Sequence, residues 1–79
     1  MILHVISAEY AGDYKIKVKF NDSTSGIADF KKKVTTDHRP IIHELSDIKK
    51  FRNFSVDEFT IVFGNGVDFA PEFIRSLII

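Results

Sequence analysis

Residues 14 to 20, Tyr14-Lys15-Ile16-Lys17-Val18-Lys19-Phe20, alternate apolar and cationic side chains without interruption. A helix, turning about every 3.6 residues, would scatter those lysines around its circumference. A strand puts Tyr14, Ile16, Val18 and Phe20 on one face and Lys15, Lys17 and Lys19 on the other. The chain must therefore build a sheet that is buried on one side and wet on the other.

The flanking residues extend this strand into a meander. Residues 2 to 8 are apolar enough for a partly buried strand, with Ala11-Gly12-Asp13 as the turn between the two. Asn21-Asp22-Ser23-Thr24, whose side chains bond their own backbone, turns the chain into a third strand near residues 25 to 28. Asp29 is placed to cap a short helix through Phe30-Lys31-Lys32-Lys33-Val34, and Thr35 to Pro40 carries the fewest ordering signals. Ser46-Asp47 caps a middle helix running to Arg52, with residues 41 to 45 packing beneath it. Phe54-Ser55-Val56 and Phe59-Thr60-Ile61-Val62-Phe63 read as two further strands joined at Asp57-Glu58. The fold class that follows is α+β: a mainly antiparallel sheet of about five or six short strands, an N-terminal meander plus a C-terminal hairpin, with a short middle helix and a C-terminal helix.

Residues 63 to 72, Phe63-Gly64-Asn65-Gly66-Val67-Asp68-Phe69-Ala70-Pro71-Glu72, are the richest in turn chemistry. Asn65-Gly66 favours a type I′ turn, because both central positions need positive φ. Val67-Asp68-Phe69 would return as a short arm. Pro71 would open the last helix where a missing N–H is harmless, and Glu72 would complement its dipole. Gly64-x-Gly66 lacks the third glycine of a dinucleotide fingerprint, and no lysine completes a phosphate loop. Ala70-Pro71-Glu72 copies a kinase tripeptide in a chain too short for a kinase. Capping accounts for Asp68 and Glu72 with fewer assumptions than a catalytic carboxylate pair does.

The run from Thr60 to Glu72 resembles the hallmark of the small prokaryotic domain-of-unknown-function family 2442. That hallmark reads strand, Trp-Pro-Asn-Gly, a small residue, Asp, an aliphatic residue, any residue, Pro and an acid. Asn65, Gly66, Asp68, Pro71 and Glu72 stand at matching positions, with Phe63 in place of Trp and Gly64 in place of Pro. Asp29-Phe30 is similar to the family's Asp-Leu after the third strand. Leu45-Ser46-Asp47-Ile48-Lys49-Lys50-Phe51 is similar to its Leu-x-Asp-x-x-x-Phe segment, so the resemblance spans nearly the whole chain. It implies a small α+β domain without established catalytic activity, sometimes fused to a helix-turn-helix module, with some relatives in toxin–antitoxin gene pairs. No helix-turn-helix pattern is visible here.

At 79 residues, 44% of them hydrophobic, the chain reads as a single domain over residues 1 to 79. A domain of that size buries only roughly 60% of its unfolded surface, so dimerisation is one way to complete its core. With no cysteine, neither disulfides nor a thiolate metal site can supplement it, and a reducing cytoplasm suits the chain. The first residues lack a signal-peptide pattern and no run approaches the roughly 20 apolar residues of a membrane span, so no membrane partner is expected. The sequons at Asn21 and Asn53 then read as chance matches in turns.

The 11 basic and 11 acidic residues cancel, but unevenly along the chain. Residues 1 to 30 hold 3 basic and 4 acidic groups (net −1), residues 31 to 52 hold 7 and 3 (net +4), and residues 53 to 79 hold 1 and 4 (net −3). His4, His38 and His43 are too scattered for a metal site, His38 and His43 having a spacing that does not join their rings on a helix. No serine sits in a nucleophile motif. We therefore expect no cofactor, no metal and no enzyme. The expected function is a protein-interaction or regulatory domain, an antitoxin-like partner in a two-protein pair or a homodimer, with Ile78 and Ile79 as contact candidates because apolar residues end the chain. A second reading is a nucleic-acid-binding regulator using the Lys15/Lys17/Lys19 face, with Lys31-Lys32-Lys33 and Lys49-Lys50-Arg52 in support. Two observations oppose it: the zero net charge, and the common use of lysines to protect exposed strands. A third reading is an enzyme centred on Asp68 with His38 or His43.

Overall fold

The alternating run becomes the middle strand of a three-stranded antiparallel sheet. The computed structural model of the protein describes residues 2 to 79. β1 (Val5–Gly12), β2 (Lys15–Phe20) and β3 (Ser25–Asp29) lie in the order β1-β2-β3. Ile16, Val18 and Phe20 are buried on one face while Lys17 and Lys19 are exposed on the other.

β1 starts and ends later than the apolar run over residues 2 to 8 suggests. The turn residues are Asp13 and Tyr14, at φ 48° and 62°, and register shifts between Val5 and Ser7 and between Tyr10 and Gly12 let β1 follow β2 to the end. Tyr14 holds its left-handed backbone by two side-chain anchors. Its ring packs on Phe51 at 5.3 Å between centroids, and its hydroxyl donates to the Ser46 carbonyl at 2.5 Å.

The Asp29 carboxylate accepts from the Lys31 amide at 3.0 Å in a turn leading into α1 (Lys31–Thr36), but the cap position itself is Phe30, which makes no side-chain capping bond, so Asp29 precedes the cap position expected of it. The segment from Thr35 to Pro40 is braced, contrary to its polar composition. The Asp37 carboxylate accepts from the Arg39 amide, Nε and Nη2 at 2.9, 3.0 and 2.8 Å, and from Lys33 Nζ at 2.7 Å. Pro40 then starts α2 (Pro40–His43), a 3₁₀ turn covers Glu44–Ser46, and α3 (Ile48–Phe51) follows. Residues 41 to 45 are thus helical turns of their own, not a segment beneath the middle helix: Pro40 supplies a pre-set φ at the start. Asp47 ends that run and caps α3, accepting from the Lys49 amide at 3.0 Å.

β4 (Phe54–Val56) and β5 (Ile61–Phe63) form a second antiparallel sheet, so among the described residues the five strands divide between two sheets in an α+β fold. β5 begins at Ile61 because Asp57 draws residues 57 to 60 into a turn, accepting the Phe59 and Thr60 amides at 2.8 Å each. After β5 the turn differs from the expected type I′ pair. Gly66 N–H donates to the Phe63 carbonyl at 2.9 Å and Phe63 N–H to the Val67 carbonyl at 2.8 Å, and only Gly66, at φ 90°, is left-handed. The loop is therefore Gly64-Asn65-Gly66, a type I turn closed by a left-handed glycine. Asn65 is held there by its side chain, which donates to the Ile41 carbonyl at 3.0 Å and accepts from the Val67 amide at 3.1 Å.

α4 (Pro71–Ser76) starts at Pro71 and buries Ile74, with Phe73 and Leu77 partly covered. Beyond it the chain lies along the outer edge of β3. Asp29 N–H donates to the Leu77 carbonyl at 2.9 Å, Ile78 bridges Ala28, and Ile79 N–H donates to the Ile27 carbonyl at 3.0 Å. The core between the two sheets is centred on Phe30, Phe51, Phe63 and Phe69, whose neighbouring ring centroids are 5.3 to 6.3 Å apart. Aromatic rings at those distances and mostly edge-on add favourable quadrupole contacts to the area they bury.

Candidate interaction surface

β2 is flanked by strands on both sides, so its lysines do not guard an edge. They run down the centre of an uncovered sheet face. Strand pairing sets the rows: Ser7, Lys19 and Ser25 lie side by side, then Glu9, Lys17 and Ile27, then Lys15 and Asp29. Side chains at paired positions share a face. A shallow depression of about 470 Å³ lies over the first two rows, lined by Ser7, Glu9, Lys17, Lys19 and Ser25.

Ile27 and Ile79 add an apolar strip beside the lysines. Ile79 pairs with Ile27 and therefore projects to the same side, and the two are 38% and 77% exposed. Ile78 points the opposite way: it packs over Gly26 and belongs to the core's rim. Of the two expected terminal contact residues, the fold leaves Ile79 open and tucks Ile78 in.

Much of the basic charge is engaged within the chain. Asp13 sits 3.4 Å from Lys15 and 3.2 Å from Lys31, and both lysines lower its pKa, Lys31 foremost. Asp37 holds Arg39 and Lys33, Glu44 holds Lys50 at 3.5 Å, and Asp22 holds Arg75. The Arg52 guanidinium lies over the Tyr10 ring at 5.0 Å. Among the described residues, Lys17 and Lys19 have no carboxylate within ion-pair distance.

The residues of the glycine-rich hallmark have structural positions. Phe63 is buried among Phe30, Phe51, Phe54 and Phe69. Asn65 and Gly66 shape the hairpin, Pro71 is the first residue of α4, and Glu72 lies in its first turn. Asp68 differs from expectation: α4 begins after Ala70 with no side-chain cap, so Asp68 caps nothing, and it lies exposed with its backbone bridged to Val62.

His38 and His43 line one depression of about 550 Å³ with Thr35, Thr36, Asp37 and Pro40, despite their spacing. The chain bends at Arg39, and α2 begins at Pro40 between the two histidines. Asp68 is not among those lining residues, and Asp37 is already bonded to Arg39 and Lys33. His4 lies far from them in sequence, packed edge-on against Phe59 at 4.9 Å with its Nε2 buried. Among the described residues no group of three or more His, Cys, Asp or Glu is placed to hold a metal ion, and no helix is long and apolar enough to cross a membrane.

Sequence reasoning missed Ile27, Ser7, Glu9 and Ser25. A parity signal was present for Ile27: Gly26 and Ala28 are small, which leaves room for a layer above them and assigns the residue between them to the opposite face. No protein-family model, curated protein or solved structure matches the chain.

Proposed function

We propose that this chain is a non-catalytic protein-interaction domain that binds a second protein through the open face of the three-stranded sheet. It would serve as the regulatory, antitoxin-like half of a two-protein pair, in keeping with the resemblance to domain-of-unknown-function family 2442. The observation that carries this reading is the placement of Lys17, Lys19, Ile27 and Ile79 together on one exposed face of the sheet. Sheets of this kind are normally packed on one side only; here exposed Ile27 and Ile79 lie beside the charged rows, and an exposed apolar patch rimmed by polar residues marks a contact surface. Self-association is the weaker form, because stacking two such faces would set lysine rows against each other and because Ile78 is already occupied within the chain.

A nucleic-acid partner has less support. Proteins that bind single strands on a sheet stack bases on aromatic side chains. The rows here are Ser7-Lys19-Ser25 and Glu9-Lys17-Ile27, with no aromatic among them.

The test is recovery of a tagged copy, expressed at native level in its own host, beside an Ile27→Asp variant. The reading expects one protein at fixed stoichiometry with the parent chain and its loss from the variant. Recovery of the chain alone, or of a partner indifferent to Ile27→Asp, would overturn it.

A further inference from the structure

The sheet face has its own chemical selectivity. Among the described residues neither Lys17 nor Lys19 has a carboxylate within ion-pair distance, although Glu9 is the cross-strand neighbour of Lys17, and the two lysines are spaced by roughly 7 Å along the strand. Lys19 lies between the hydroxyls of Ser7 and Ser25, neither of which bonds to another protein group among the described residues. Such a row offers an ammonium with donors on both sides, a cradle for a carboxylate. One row along, Lys17 lies between Glu9 and the Ile27/Ile79 strip.

We propose that this face takes an acidic segment of a second protein, with carboxylates over Lys17 and Lys19 and an apolar side chain against Ile27 and Ile79. The proposal rests on the interaction reading above and specifies the partner's chemistry. Charge complementarity selects the occupant. The two unpaired lysines favour an anion, whereas a second copy of this face would present lysines to lysines. The apolar strip gives an acidic peptide something that a phosphate backbone does not use.

The probe is a synthetic peptide repeating Ser-Glu-Ile-Glu, titrated into the isotope-labelled full chain at low ionic strength and followed by amide chemical shifts. The expected result is movement of Ser7, Lys17, Lys19, Ser25, Ile27 and Ile79. Lys17→Glu with Lys19→Glu should weaken binding by roughly tenfold or more, as reversal of contact charges does. Lys49→Glu with Lys50→Glu, on α3, should leave it unchanged, and a Ser-Gln-Ile-Gln peptide should not bind. Equal weakening by the two double variants would reduce the effect to adventitious charge attraction and overturn the proposal. Tighter binding of an oligothymidine to the same residues would overturn it in favour of nucleic acid. A stoichiometric protein partner that needs Ile27 but tolerates Lys17→Glu with Lys19→Glu would sink the acidic segment while leaving the interaction reading standing.

Discussion

Ile78 occupies the space a side chain on Gly26 would need: a β-carbon built on Gly26 would come within 2.6 Å of the Ile78 Cγ2 methyl. The methyl sits on a β-branched carbon and has no long lever with which to swing away. Gly26→Ala should therefore displace the Leu77–Ile79 segment from β3 and cost about 1–3 kcal/mol, the range for inserting a methyl into a packed site. Ile78→Ala should cost about 2 kcal/mol, less than for a fully buried isoleucine. The double variant is the stronger test. Removing the Ile78 branch makes room for the methyl that Gly26→Ala adds, so Gly26→Ala with Ile78→Ala should cost less than the two changes summed. Strict additivity in urea denaturation would show that the two residues do not meet.

Two glycines of the second hairpin should respond differently. Gly66 is at φ 90° with open space around it, so Gly66→Val suffers backbone strain alone, about 1–3 kcal/mol. Gly64 has an ordinary φ, and its missing β-carbon would lie 2.2 Å from Asn53 Nδ2, the mobile end of a side chain. Gly64→Ala should be cheap and become cheaper with Asn53→Ala. Gly64→Pro is another matter, since it deletes the bond from Gly64 N–H to the Asn53 carbonyl at 2.8 Å and should cost about 1 kcal/mol. Thermal melts of the four variants check the ranking.

These cases show why some of the fold is legible in the sequence and some is not. The β2 face, the Asp47 cap and the Pro71 helix start are local: each follows from side chains within a few residues of the effect. The turn at Gly66 departs from the type I′ pair because Asn65 is held by the Ile41 carbonyl, distant in sequence, rather than by its own left-handed preference. The brace at Asp37 is local too, with Lys33 and Arg39 within four residues of it, but the polar composition of residues 35 to 40 gives no sign of which charges close on the carboxylate. For the contact surface, the lysines are readable from alternation alone. Ile27 and the outward direction of Ile79 are not, because both depend on the C-terminal residues pairing with β3.

Tyr14 is a bulky residue in a left-handed turn position, and its side-chain anchors compensate for that conformation. Tyr14→Phe keeps the ring on Phe51 but removes the donor to the Ser46 carbonyl, so it should lose about 1 kcal/mol with no change in fold. Tyr14→Gly relieves the backbone yet removes the ring, and the lost packing should outweigh the relief. A Tyr14→Gly chain as stable as the parent in urea denaturation would mean that the ring contributes nothing beyond offsetting its own strain.

Acid should destabilise the fold through identifiable carboxylates. Asp22 is lowered to about 2 by the Thr24 hydroxyl, the Arg75 guanidinium and the Thr24 amide. Asp37 lies well below the usual range because Arg39 and Lys33 donate to it, and the Phe59 and Thr60 amides lower Asp57. A carboxylate with a folded pKa below its unfolded value leaves the folded state with fewer bound protons. Its contribution is therefore complete above the ordinary value of 3.8 and lost as pH falls towards the folded value. The urea midpoint should drop steeply below about pH 4. Asp37→Asn should lower stability at neutral pH and flatten that drop, because the amide no longer attracts Arg39 and Lys33 as an anion and takes up no proton as the pH falls. An Asp37→Asn chain with the parent's full acid sensitivity would place the titrating groups elsewhere.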